Sequence, residues 1–142
     1  MYALDSDALS LFLRRQEPIT SRILAVPTQA IWLPAVAVEE QIRGRMALLA
    51  GLNPARSGDS LKVPLAYELP LRTLRELEKL QWLPYNTAAE ALYQSWPAAV
   101  KRLGTRDCRV AATAIMSGFT VVTCNTRHFQ PIPGVSVEDW TV

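Results

Sequence analysis

Four polar residues, Asp5, Glu40, Asp107 and Asn125, stand at the edges of apolar segments spread along the chain. Asp5 closes Tyr2-Ala3-Leu4, and Glu40 follows the apolar run 31–38. Asp107 opens the apolar-striped segment 108–117, and Asn125 follows Phe119-Thr120-Val121-Val122-Thr123. In an open parallel sheet, chemistry collects beyond the carboxyl ends of the strands. Folded that way, the chain brings three carboxylates and one amide to a single crevice. Two carboxylates roughly 4 Å apart repel by about 4 kcal/mol at an effective dielectric of ~20. Such a cluster persists only when protons or a cation offset the repulsion. Carboxylate and amide oxygens are hard donors, suited to Mg²⁺ or Mn²⁺ and poor for Zn²⁺ or copper. A pair of such ions clamps the attacking and leaving oxygens in phosphodiester hydrolysis. Taken singly, each residue also has a structural reading. Asp5 can cap a helix, Glu40 and Asp107 can be first-turn acids favoured by the helix dipole, and Asn125 can be a turn residue.

The distribution of charge points the same way. The net charge of +2 says little, but Arg43, Arg45, Arg102, Arg106, Arg109 and Arg127 all lie within a few residues of the acidic positions. An acidic centre rimmed by arginines suits a polyanion approaching a metal. Other chemistries lack their residues. No Gly-x-Gly-x-x-Gly follows a strand-like segment, and there is no Walker-type lysine or Gly-x-Ser-x-Gly elbow. The one histidine, His128, excludes histidine-rich metal sites and reads as a polar surface or capping residue. Cys108 and Cys124 are too few for a disulfide scaffold or a zinc site and read as reduced packing residues.

With 142 residues, 49% of them hydrophobic, the chain fits one domain, residues 1–142, with a real core. No apolar run approaches the ~20 residues of a membrane span, and Asp5 and Asp7 spoil a signal peptide, so the expected location is cytoplasmic. Strand-like segments at 2–4, 29–36, 82–85, 119–123 and 135–137 alternate with helical patterns at 6–15, 19–25, 39–52, 65–80, 87–103 and 106–117. Asn53-Pro54 ends one helix, residues 55–62 read as a mobile loop, and Pro70 is expected to kink or divide its helix. Gly104 and Gly118 bound the last long helix. The alternation predicts an α/β fold, a central parallel sheet of four to five strands flanked by helices on both faces. Trp32, Trp82, Trp96 and Trp140 fall on these patterns as core or dimer contacts.

In order along the chain, these residues carry a resemblance. Leu4-Asp5-Ser6-Asp7 resembles the opening of PIN-domain proteins. Val38-Glu39-Glu40-Gln41-Ile42-Arg43-Gly44 resembles their second motif, whose acid stands four residues before a glycine and so selects Glu40. Gly104-Thr105-Arg106-Asp107-Cys108-Arg109-Val110-Ala111-Ala112-Thr113-Ala114 resembles the third. Val121-Val122-Thr123-Cys124-Asn125-Thr126-Arg127-His128-Phe129 resembles the fourth, with Asn125 where an aspartate often stands. Size and content resemble the VapC branch, toxins of type II toxin–antitoxin modules.

That resemblance implies a metal-dependent endoribonuclease, a homodimer, silenced by a small antitoxin whose tail enters the acidic groove. It maps Asp5, Glu40 and Asp107 onto the family's metal-binding and catalytic acids. The expected roles are Asp5 and Asp107 binding Mg²⁺ or Mn²⁺, Glu40 binding it or orienting water, and Asn125 and Thr123 supporting them. Asp7 is expected as a helix cap or a group behind the ligands, and Arg106 and Arg127 as contacts to RNA phosphates. The alternative is a catalytically weak PIN-like domain that binds RNA or an antitoxin without cutting.

Overall fold

The computed structural model describes residues 1–53 and 55–142. Its centre is one parallel sheet of β1 (Tyr2–Leu4), β2 (Ile31–Pro34), β3 (Gln81–Leu83), β4 (Thr120–Val122) and β5 (Ser136–Glu138), in the order β3-β2-β1-β4-β5. The strands are short, and successive side chains point to opposite faces. Leu4, Ile31, Leu33 and Val122 enter one core, while Ala3 and Val121 enter the other.

The first core is closed by α1 (Ser6–Leu13), α2 (Ile19–Ala25), α3 (Ala35–Ala50) and α4 (Asp59–Leu77), which contribute Ala8, Leu9, Ile19, Ile23, Ala37, Val38 and Leu77. The second lies under α5 (Thr87–Ser95), α6 (Ala98–Lys101), α7 (Thr105–Ser117) and α8 (Thr126–Phe129), with Tyr93, Cys108, Ala111, Ala112, Ala114 and Phe129 buried. The small residues of α7 let that helix lie close to the strands, and Gly118, at φ 68°, ends it in the left-handed conformation. The expected α/β architecture, helices on both faces included, is the observed one.

Several boundaries differ, each for a physical reason. Residues 35 and 36, expected to end a strand over 29–36, belong instead to the first turn of α3. An apolar run is ambiguous between a buried strand and a buried helix start, and here Ala37 and Val38 pack under the sheet. Pro34 tolerates its place because it is the last residue of β2. The expected mobile loop at 55–62 is only partly a loop, because α4 already begins at Asp59. The Asp59 carboxylate is buried and accepts the backbone N–H of Asn53 at 3.1 Å. The helix stop expected at Asn53-Pro54 involves Pro54, which lies outside the described residues; α3 already ends at Ala50.

Pro70 does not divide α4, which runs through both Pro64 and Pro70. Ala66, Pro70, Thr73 and Leu77 form its buried stripe, so packing outweighs the lost backbone hydrogen bonds. The helix expected over 87–103 breaks at Trp96, which precedes Pro97 and is extended (φ −74°, ψ 144°). Trp96 and Trp140 are buried, while Trp82 on the edge strand β3 is exposed. Cys108 is a buried free thiol as expected, but Cys124 is exposed and so is no packing residue. Among the described residues, no helix is long and apolar enough to cross a membrane.

Candidate active site

Because the strands are parallel, Leu4 and Val122 end side by side and the chain leaves both at one edge of the sheet. Asp5 is the first residue beyond the central strand. Its backbone N–H donates to Val122 O at 3.0 Å, and its carboxylate accepts the Ala8 N–H at 2.7 Å as the cap of α1. Only 3% of Asp5 is exposed. Burial raises its pKa to about 7, opposed by hydrogen bonds from the Thr123 side chain and the Ala8 N–H and reinforced by the charges of Asp7 and Asp107. The sequence reading of Asp5 as a helix cap is met by this side chain.

Glu40 lies in the second turn of α3 and turns toward α1. The Ser6 hydroxyl donates to its carboxylate at 2.5 Å, and the buried Gln41 side chain donates to Ser6 O at 2.9 Å. These two bonds fix α3 against the start of α1. Asp107 stands in the first turn of α7, where burial raises its pKa and His128 opposes the rise. His128 Nδ1 is 3.2 Å from Asp107 Oδ2. Gly104, at φ 138°, precedes α7 in a conformation that side chains resist, and a Cβ there would meet Asp107 Oδ2 at 3.4 Å. Asn125 immediately precedes α8, with its backbone N–H donating to Thr123 Oγ1 at 2.9 Å.

The result is one crevice of about 620 Å³ lined by Asp5, Ser6, Asp7, Glu40, Gly104, Thr105, Arg106, Asp107, Arg109, Asn125 and His128. The four residues singled out from the sequence share it, and Asp7 and Arg106 line it too. Thr123 is fully buried behind Asp5 rather than in the crevice wall. Arg127 is exposed on α8 and is not among the lining residues.

Ser6, Gln41, Gly104 as a neighbour of Asp107, Arg109 and His128 were not assigned to the site from sequence. Ser6 sits inside the first motif, and His128 follows Asn125 by three residues, one turn of a helix too short to read from a pattern. Gln41 sits inside the second motif, directly after Glu40. Among the described residues, no three His, Cys, Asp or Glu side chains already form a group able to hold a metal ion. Glu40 and Asp107 are engaged by Ser6 and His128 instead.

A family model described as the PIN domain matches residues 2–134. A curated relative, the tRNA(fMet)-specific endonuclease VapC of Salmonella typhimurium, is 37% identical over 68 residues. That match takes in 45% of this chain and 52% of the relative, so the chain spans about half the length of the curated protein it matches. Among solved structures, DNA-bound VapBC from Salmonella typhimurium superposes with a TM-score of 0.73 at 26% identity, covering 98% of this chain and 97% of that one. VapBC2 from Rickettsia felis, bound to a promoter DNA fragment, gives the same TM-score of 0.73 at 16% identity, covering 98% of each chain, a likeness of fold.

Proposed function

The chain belongs to the PIN-domain family, and from that membership we propose that it is the toxin of a type II toxin–antitoxin module, a divalent-metal-dependent endoribonuclease. One observation carries the reading: a buried carboxylate, Asp5, lies in a crevice shared with Asp7, Glu40 and Asp107. Burial and neighbouring negative charge both disfavour its anion. A fold keeps so costly an arrangement where a cation offsets it. The VapC and VapBC relatives support the toxin reading, and a small antitoxin protein is the proposed partner.

The donor set fits a hard ion. Asp5, Glu40 and Asp107 would hold Mg²⁺ or Mn²⁺ through carboxylate oxygens, with the Asn125 amide as a neutral neighbour. Bound there, the ion supplies charge stabilisation to the phosphoryl group and lowers the pKa of water. The protein supplies position. The Ala8 N–H and Thr123 fix the Asp5 carboxylate, and His128 fixes that of Asp107. Ser6 holds Glu40 where it can orient a water molecule, at the cost of one carboxylate oxygen. Arg106 at the crevice wall would bind a flanking phosphate, and Arg127 on α8 would add one at the rim.

Asp107→Asn tests the reading. The variant should keep its circular dichroism and lose cleavage of RNA, and EDTA should silence the wild-type protein. Full ribonuclease activity in the variant, or undiminished activity in EDTA, contradicts the mechanism. A soluble, folded wild-type protein that binds RNA and never cuts it under saturating Mn²⁺ would favour the binding-only alternative.

A further inference from the structure

Arg106 and Arg109 stand three residues apart on α7 and so share a helix face. Both line the acidic crevice, and both also line a second cavity of about 450 Å³ beside it. The apolar part of that second wall comes from Ala35 and Val36 in the first turn of α3 and from Tyr85 between β3 and α5. Glu39 completes the lining and is compensated by Arg43 at 2.8 Å.

Arg109 is held in an unusual way. Its guanidinium carbon lies 5.6 Å from the centroid of the Tyr85 ring and 5.2 Å from that of Tyr93. The Glu90 carboxylate is 3.8 Å from Nε, beyond hydrogen-bond reach, and that Nε has no hydrogen-bond partner among the described residues. Glu90 is instead bonded to the Tyr85 hydroxyl and the Gln94 amide. The two rings thus hold the guanidinium by cation–π contact, and the side chain remains 38% exposed. Two aromatic rings and a loose ion pair with Glu90, rather than a hydrogen bond from Nε, hold this arginine.

We propose that the second cavity is a nucleotide subsite that receives the unpaired base adjoining the phosphate in the acidic crevice. Tyr85, Val36 and Ala35 supply the apolar surface for the base, and Arg106 and Arg109, common to both cavities, hold the phosphate between them. The subsite rests on the nuclease reading and adds to it the residues that receive the base beside the cut. Exposed bases are recognised by stacking on aromatic side chains and arginine planes. A base engaged in a duplex cannot reach a side cavity.

The test uses the full chain and an RNA whose cleavage position by the wild-type protein has been mapped. The same RNA is made with an abasic residue at each position flanking the cut, and binding is measured in EDTA to keep it intact. Tyr85→Leu should weaken binding about tenfold, the size of one lost base–aromatic stack, and Tyr85→Phe should restore it. One abasic position should weaken wild-type binding by a similar factor and have no further effect in Tyr85→Leu, the coupling expected of two groups in contact. Arg109→Gln should reduce the salt dependence of binding by about one phosphate contact. Circular dichroism confirms that each variant is folded. Wild-type-like binding by Tyr85→Leu, or losses additive with every abasic position, overturns the subsite while leaving the nuclease intact. A wild-type protein that cuts no RNA removes the nuclease reading and the subsite with it.

Discussion

The acidic crevice and the α3–α4 hairpin are built on opposite principles. In the crevice the polar side chains are over-determined. Asp5 is held by Ala8 and Thr123, Glu40 by Ser6, and Asp107 by His128. The hairpin is fixed by one buried stripe and leaves Met46, Leu48, Leu61, Leu65 and Leu71 exposed. On the proposed reading, crevice residues serve chemistry at the expense of stability, whereas the buried residues of α4 serve stability alone.

That contrast is sharpest in substitutions. Asp5→Asn should lower RNA cleavage by about 10³-fold or more, the loss of several kcal/mol of metal-assisted stabilisation, while the folded state survives. Initial rates at saturating Mn²⁺ measure it. Leu77→Ala, in the fully buried stripe of α4, should do the reverse. It should cost about 2–5 kcal/mol in denaturant unfolding and leave the cleavage rate per folded molecule unchanged.

The pH dependence of the metal-free protein separates the regions next. The Asp5 pKa is raised from 3.8 to about 7 by burial first, so its proton is bound more tightly in the folded state. Its stabilising contribution is complete below pH 3.8 and is lost as pH rises through about 7. The loss amounts to about 4 kcal/mol, and Asp107, also shifted upward, acts in the same direction. Melting curves in EDTA should show wild-type stability falling across this window relative to Asp5→Asn, and Mn²⁺ should restore it near neutrality.

Two smaller effects complete the series. Gly104→Ala forces a side chain into a backbone conformation that costs about 1–3 kcal/mol, with its Cβ in contact with the Asp107 carboxylate. Both melting temperature and cleavage should drop. Leu61→Ser, on the exposed hairpin face, should change stability by no more than about 0.5 kcal/mol and leave cleavage as it was.

The same contrast governs what could be read from the sequence. Asp5, Glu40, Asp107 and Asn125 were legible because each interrupts an apolar segment, and a parallel sheet gathers such interruptions at one edge. The boundaries of the hairpin were not. Residues 35–38 are apolar in either a strand or a buried helix turn, and Pro70 reads as a kink or a break although α4 continues through it. Local pattern does not report the packing that overrides it. His128 read only as a surface or capping residue and Arg109 only as one of the rim arginines for a related cause: their partners, Asp107 and the two tyrosines, are brought to them by the fold.

The most direct test of a shared cation site is anomalous diffraction from crystals soaked in Mn²⁺. The expected result is a manganese peak in the crevice with carboxylate oxygens of Asp5 and Asp107 at about 2.1 Å, absent in Asp107→Asn. A crevice without a peak at saturating Mn²⁺, or a peak that persists unchanged in Asp107→Asn, contradicts it.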